Sequence, residues 1–257
     1  MAITRRGVLT VGAVLVAYGG WRVLPAFTGP RLDFEALEDP RGFRRIAGGP
    51  VSTNAAPFVG ISAIGAAGPD AAEAESAVAA DLCGALFGGR DFSAGTVPIA
   101  SFSDYYCPYC RVQTRLLTRI EAESGGTVRV VWHELPLLGD SSRLAAKAAL
   151  AARRQDAYAA FHARMMRAAF QATPGYLEAL AASIDLDPAR LAADMESPEI
   201  ARELAISAAL ARRFGFYGTP ALVIGKTAAL GEIAENVTLR LIELERAEGM
   251  GPTCAAT

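Results

Sequence analysis

Between Ser141 and Phe214 the sequence offers helical patterns only, while strand-forming runs stand on both sides of that block. Strands must pair, so the runs before and after it have to meet in one sheet, and the helices have to leave that sheet and return to it. The first run is "TVPIASF", Thr96 to Phe102, and the second is "TVRVVWHEL", Thr127 to Leu135. Between them "RVQTRLLTRIEAES" places Val112, Leu116, Leu117 and Ile120 at helical spacing, closed by Gly125-Gly126. Strand signals return in "TPALVIG", Thr219 to Gly225, with a turn around Gly225-Lys226 and a short run near Leu230. The pattern predicts an α/β sheet with an all-helical insertion over residues 140–214.

The boundaries of the inserted helices are legible. Ser141 and Ser142 offer a cap for "RLAAKAALAARRQ", and Pro174, Pro188 and Pro198 stand where a first helical turn tolerates a missing N–H. Before the first strand, residues 28–69 are rich in Gly, Pro, Ala and Ser and read as a linker with short β structure. One helix is expected over "DAAEAESAVAADLCGALFG", capped by Asp70 and stopped by Gly88-Gly89. A last helix runs to Gly249, leaving 250–257 as a tail.

The N-terminus carries a different message. Arg5 and Arg6 precede an apolar run from Gly7 to Trp21, and Thr4-Arg5-Arg6-Gly7-Val8-Leu9 resembles a twin-arginine export signal with valine in place of the usual phenylalanine. The run is shorter than the roughly 20 residues that span a bilayer. Residues 1–27 are therefore read as an export signal or, uncleaved, as an inner-membrane anchor through residues 7–21, with the rest of the chain periplasmic or otherwise extracytoplasmic. The formal net charge of −2 gives no electrostatic reason to expect nucleic acid as a partner.

Export governs how the 4 cysteines are read, because an oxidising compartment favours pairing. Cys107 and Cys110 are the natural pair by proximity, which leaves Cys83 with Cys254 as a structural disulfide. In "SDYYCPYCRVQ" the CxxC follows a strand and opens a helix. A cysteine there points its sulfur at unpaired backbone N–H groups and the positive end of the helix dipole, which favours thiolate over thiol. Cys107 is thus the expected exposed nucleophile and Cys110 the shielded resolving partner. Zinc is the competing reading, but it needs four ligands. The 2 histidines, His133 and His162, fall on different elements and read as structural. No metal and no cofactor beyond the Cys107–Cys110 pair are expected.

The order strand, Cys107-Pro108-Tyr109-Cys110, helix, strand, helical block, then "FGFYGTPALVIG" (Phe214 to Gly225) resembles the DsbA-like thiol-disulfide oxidoreductases of the thioredoxin superfamily. The stretch Glu134 to Met166 looks like the family's passage from sheet to helical domain, and the likeness extends from Leu86 to Gly249. It implies a thioredoxin-like domain over 91–249, preceded by an extension over 28–90. It also implies that Pro220 is a cis-proline facing the CPYC pair, with the Thr219 backbone turned outward to pair with an extended substrate. Pro108 and Tyr109 complete the expected substrate-facing set, and Tyr105, Tyr106 and Tyr109 could rim it or simply pack around it. One departure is Ser101, which stands where relatives often bury an acid; Asp104, Glu134 or water is left to handle the proton of Cys110.

The implied activity is protein disulfide exchange on reduced or unfolded exported proteins, with a membrane thiol oxidase or reductase for recycling. An oxidase is the leading reading, an isomerase or reductase of the same fold the next, and a non-catalytic periplasmic peptide-binding holdase the alternative of another class.

Overall fold

The computed structural model describes residues 32–53, 69–89, 95–167, 169–250 and 254. The export signal or anchor expected over 1–27 lies outside the described residues. Within them, no helix is long and apolar enough to cross a membrane.

In chain order the elements are β1 (Glu35–Ala36), β2 (Arg44–Ile46), α1 (Pro69–Ala80), α2 (Leu82–Phe87), β3 (Val97–Ser103), α3 (Pro108–Glu123) and β4 (Val128–Glu134). There follow α4 (Asp140–Arg153), α5 (Tyr158–Arg167), α6 (Pro174–Ala182), α7 (Pro188–Met195), α8 (Pro198–Arg213), β5 (Ala221–Ile224), β6 (Thr227–Leu230) and α9 (Glu235–Glu248). The strands form one mixed sheet in the order β1-β2-β6-β5-β3-β4. β3 runs parallel to β4 and antiparallel to β5.

Alternation along β3 and β5 explains why both are buried throughout. Ala100, Phe102, Ala221 and Val223 face one core with Phe43, Phe87, Leu210 and Phe214. Val97, Ile99, Leu222 and Ile224 face the other, with Leu117, Ile120, Leu241 and Ile242. A sheet covered on both faces has no solvent-facing side on which to place charged residues. The inserted helices α4 to α7 build a third core around Leu150, Phe161, Met165 and Leu191. Cys107 and Cys110 belong to that cluster, so the CxxC lies at the seam between sheet and insertion.

Two local expectations are corrected. The single helix before the sheet is two, because Asp81 interrupts it and caps α2 by accepting from Gly84 N at 2.8 Å; Asp70 lies inside the first turn of α1. Ser142 caps nothing: it is fully buried and its hydroxyl donates to Asp104. Pro174, Pro188 and Pro198 open α6, α7 and α8 where the sequence places them, each directly after a capping side chain, Thr173, Asp187 or Ser197.

Cys83 of α2 is disulfide-bonded to Cys254, with Cα atoms 5.6 Å apart and a sequence separation of 171. Closing so long a loop restricts the unfolded chain strongly. Replacing both cysteines by alanine should lower the free energy of unfolding by about 3 kcal/mol in denaturant titration, with no change in exchange activity.

Candidate active site

The register of the sheet assembles the site. Phe102 of β3 pairs with Ala221 of β5, so the residues before β5 lie beside those after β3. Thr219-Pro220 therefore faces the turn from Asp104 to Cys107. The Thr219–Pro220 peptide bond is cis.

Cys107 is the N-cap of α3, in extended conformation with Pro108 in the first turn. Its sulfur accepts the Cys110 N–H at 3.2 Å and, as a thiol, donates to the Thr219 carbonyl at 3.3 Å. Cys107 and Cys110 are both free thiols here. Their environments push them apart. The Cys110 thiol holds the Cys107 pKa down, to about 6, with Ser52 adding a further hydrogen bond against the cost of burial. Burial raises Cys110 well above the ordinary thiol range, and the neighbouring Cys107 adds to the effect. Near neutral pH the pair therefore holds one thiolate and one thiol.

The expected exposure of Cys107 is not found: the residue is fully buried. Cys107 packs into the core of the helical insertion, and a neighbour far away in sequence closes on it as well. Ser52 forms an antiparallel bridge with Thr219, donating its N–H to the Thr219 carbonyl at 2.8 Å and accepting from Thr219 N at 3.0 Å. This part of the extension, read as linker, covers the sulfur. Ser52 carries no signal of its own, since its place depends on pairing with a residue beyond the entire helical insertion.

Asp104, a candidate to handle the proton of Cys110, points its carboxylate elsewhere. Its carboxylate is buried rather than solvated and accepts from Tyr106 N at 2.8 Å, Leu137 N at 2.8 Å, Leu138 N at 3.0 Å and the Ser142 hydroxyl at 2.5 Å. Burial raises its pKa, and these four donors oppose the rise. What Asp104 offers Cys110 is its backbone N–H, 3.5 Å from the sulfur. Ser101 is buried as well, and no acid takes over its position.

Glu134 serves a separate cluster. Its Oε1 accepts from Tyr105 at 2.7 Å and Tyr158 at 2.6 Å, and His162 Nδ1 lies 2.7 Å from the Tyr105 oxygen. Each tyrosine has one proton and spends it on Glu134, so His162 Nδ1 must carry a hydrogen and donate to Tyr105. Burial, reinforced by the Glu134 charge, raises both tyrosines well above their ordinary pKa. Tyr105 is thus interior, not part of an aromatic rim. Tyr106 is half-buried, tilted against Phe170 at 5.5 Å. Tyr109 is half-buried and Pro108 exposed, both between the cysteines. His133 is structural: buried, stacked on Phe102 at 4.6 Å, with Nε2 2.9 Å from the Leu86 carbonyl and its pKa lowered by burial to about 4. Among the described residues no group of three or more His, Cys, Asp or Glu side chains could hold a metal.

A thioredoxin-like sheet, a CxxC capping a helix and a cis-proline loop against its sulfurs define a thiol-disulfide oxidoreductase. The comparisons agree: residues 98–242 match the model of the DSBA-like thioredoxin domain, and the chain belongs to that family. No curated protein sequence matches the chain. Among solved structures, a thioredoxin-like oxidoreductase from Silicibacter pomeroyi DSS-3 is 34% identical, with a TM-score of 0.59 over 64% of this chain and 98% of that one. The catalytic domain of Proteus mirabilis ScsC is 27% identical, with a TM-score of 0.57 over 67% and 98%. A periplasmic thioredoxin-like protein from Salmonella enterica serovar Typhimurium is 25% identical, with a TM-score of 0.55 over 64% and 95%.

Proposed function

We propose that the chain is an exported dithiol oxidase that passes the Cys107–Cys110 disulfide to reduced cysteine-containing proteins in an extracytoplasmic compartment. The arginine pair and apolar run of residues 5–21, and the periplasmic Salmonella relative, support export. The domain boundaries follow, with the extension over 28–90 and the thioredoxin-like domain over 91–249.

The reaction runs through two exchanges. A substrate thiolate attacks Cys107 of the oxidised pair, the Cys107–Cys110 bond breaks, and Cys110 leaves with an electron pair that a proton neutralises. A second substrate thiolate then attacks the substrate sulfur of the mixed disulfide, expelling Cys107 as thiolate. Two electrons have passed to the pair, and a membrane partner removes them. Thr219 and Pro220 bind the substrate backbone; Pro108 and Tyr109 border the attacked sulfur.

The observation that carries the direction is the split between the two cysteines. A stabilised Cys107 thiolate lowers the energy of the reduced form, which makes the disulfide a stronger oxidant. The reduction potential should lie toward about −120 mV rather than about −270 mV, measured against glutathione. Its pH dependence follows from the same split. Above pH 6 the reduced pair takes up one proton with its two electrons, and the potential should fall by about 30 mV per pH unit; below pH 6 it takes up two and the slope should double. A uniform slope of about 60 mV from pH 5 to 8, or a potential near thioredoxin's, would remove the oxidase assignment.

A further inference from the structure

The segment Gly48–Thr53 meets the active site as a guest strand would. Ser52 is directly opposite Thr219 and exchanges both backbone hydrogen bonds with it, which uses the N–H and C=O that Thr219 offers beside the cis bond. Paired residues that exchange both bonds carry their side chains on the same face, so Ser52 and Thr219 share one side of this short ladder. The thiol of Cys107 donates to the same Thr219 carbonyl, which places Ser52 beside the reactive sulfur. The hydrogen bond by which Ser52 helps lower the Cys107 pKa agrees with that placement.

The segment is fitted to its seat. Side chains at Gly48 and Gly49 would collide with the Leu230 and Glu232 carbonyls, and one at Gly231 would collide with the Gly49 backbone. Gly218, just before Thr219, lets Val51 and Thr53 close over it: an added Cβ would lie 2.8 Å from Thr53 Cγ2 and 3.1 Å from Val51 Cβ. The Pro50 carbonyl accepts Glu232 N at 3.1 Å. Yet Gly48 to Pro50 are exposed and Val51 to Thr53 only half-buried, so little apolar surface holds the segment down.

We propose that Gly48–Thr53 is a tethered pseudosubstrate. It occupies the strand site beside Cys107 with a serine where a substrate presents its cysteine, and an incoming peptide must displace it. Serine cannot form a disulfide, so the occupant is held but never consumed. The seat also describes its competitors: extended segments whose cysteine takes the place of Ser52, flanked by β-branched residues in the places of Val51 and Thr53. This inference rests on the exchange activity proposed above.

The test compares the full chain with Gly49→Val and, separately, Ser52→Pro, both checked for native circular dichroism. Exchange is followed with a peptide containing Val-Cys-Thr and with dithiothreitol, which needs no strand site. Freeing the strand site should lower the peptide KM by about tenfold in Gly49→Val, while exchange with dithiothreitol, which gains only from the uncovered sulfur, should change less. An unchanged peptide KM in both variants, with normal dithiothreitol exchange, would overturn the pseudosubstrate and leave the enzyme reading intact. Failure of the unaltered chain to exchange with either reagent would overturn both. A trap reads the geometry without kinetics. In Ser52→Cys/Cys110→Ala, glutathione disulfide first attaches glutathione to Cys107, and the introduced thiol then displaces it. Two glutathiones are released and one internal disulfide forms, which peptide mass mapping should show. Persistent glutathione on Cys107 would sink the proposal.

Discussion

Cys107→Ala should reduce catalysed disulfide exchange to the uncatalysed rate while leaving peptide binding beside Thr219 intact. The sulfur at position 107 is the one the fold stabilises as a thiolate: it caps α3, accepts the Cys110 N–H and has its pKa held at about 6. Cys110 cannot take over, because burial keeps it protonated well above neutral pH. Alanine adds no bulk and leaves the Thr219 backbone in place. The measurement is insulin reduction, or oxidation of a reduced model peptide, alongside binding of the same peptide by fluorescence anisotropy. Loss of exchange with retained binding is the outcome expected of an enzyme. Retained function in the alanine variant would instead support the peptide-binding holdase.

Asp104→Ala should destabilise the protein by about 3 kcal/mol, since it leaves the buried Ser142 hydroxyl and three part-buried N–H groups without their acceptor. The lost carboxylate serves Tyr106 N in the catalytic turn, Leu137 N and Leu138 N in the connection after β4, and Ser142 in α4. It therefore clamps the CPYC loop to the helical insertion. Because Asp104 also holds the turn that delivers its own N–H to Cys110, the reduction potential should shift as well. Denaturant titration of the reduced protein gives the first effect and glutathione equilibration the second. Asp104→Asn keeps an acceptor and should recover about half of the lost stability. A change of less than about 1 kcal/mol in the alanine variant would show that the four donors find other partners.

The two variants probe different depths of legibility. The chemistry at Cys107 was readable because it depends on local order: a strand ending at Ser103, a CxxC with proline in the first turn, a helix behind it. The same locality made the helical insertion legible, since caps such as Thr173, Asp187 and Ser197 act on N–H groups two or three residues away. Asp104 reads from sequence only as one of several candidates for the proton of Cys110, because three of its four donors come from Leu137, Leu138 and Ser142 across the seam. Tyr105 reads as one of three similar tyrosines, and only Glu134, Tyr158 and His162 distinguish it.

By itself, then, the sequence determined the α/β sheet with its helical insertion, the strand–CxxC–helix order, and the pairing of a helix-capping cysteine with a resolving one. Those follow from periodicity, turn chemistry and the helix N-terminus, which act over one or two turns of chain. The tertiary structure decided what surrounds the reactive sulfur. It brought Thr219 beside Cys107 through the antiparallel register of β3 and β5, and laid Ser52 across both. Backbone pairing between segments so distant depends on the N–H and C=O that every residue carries, so no side-chain pattern announces it.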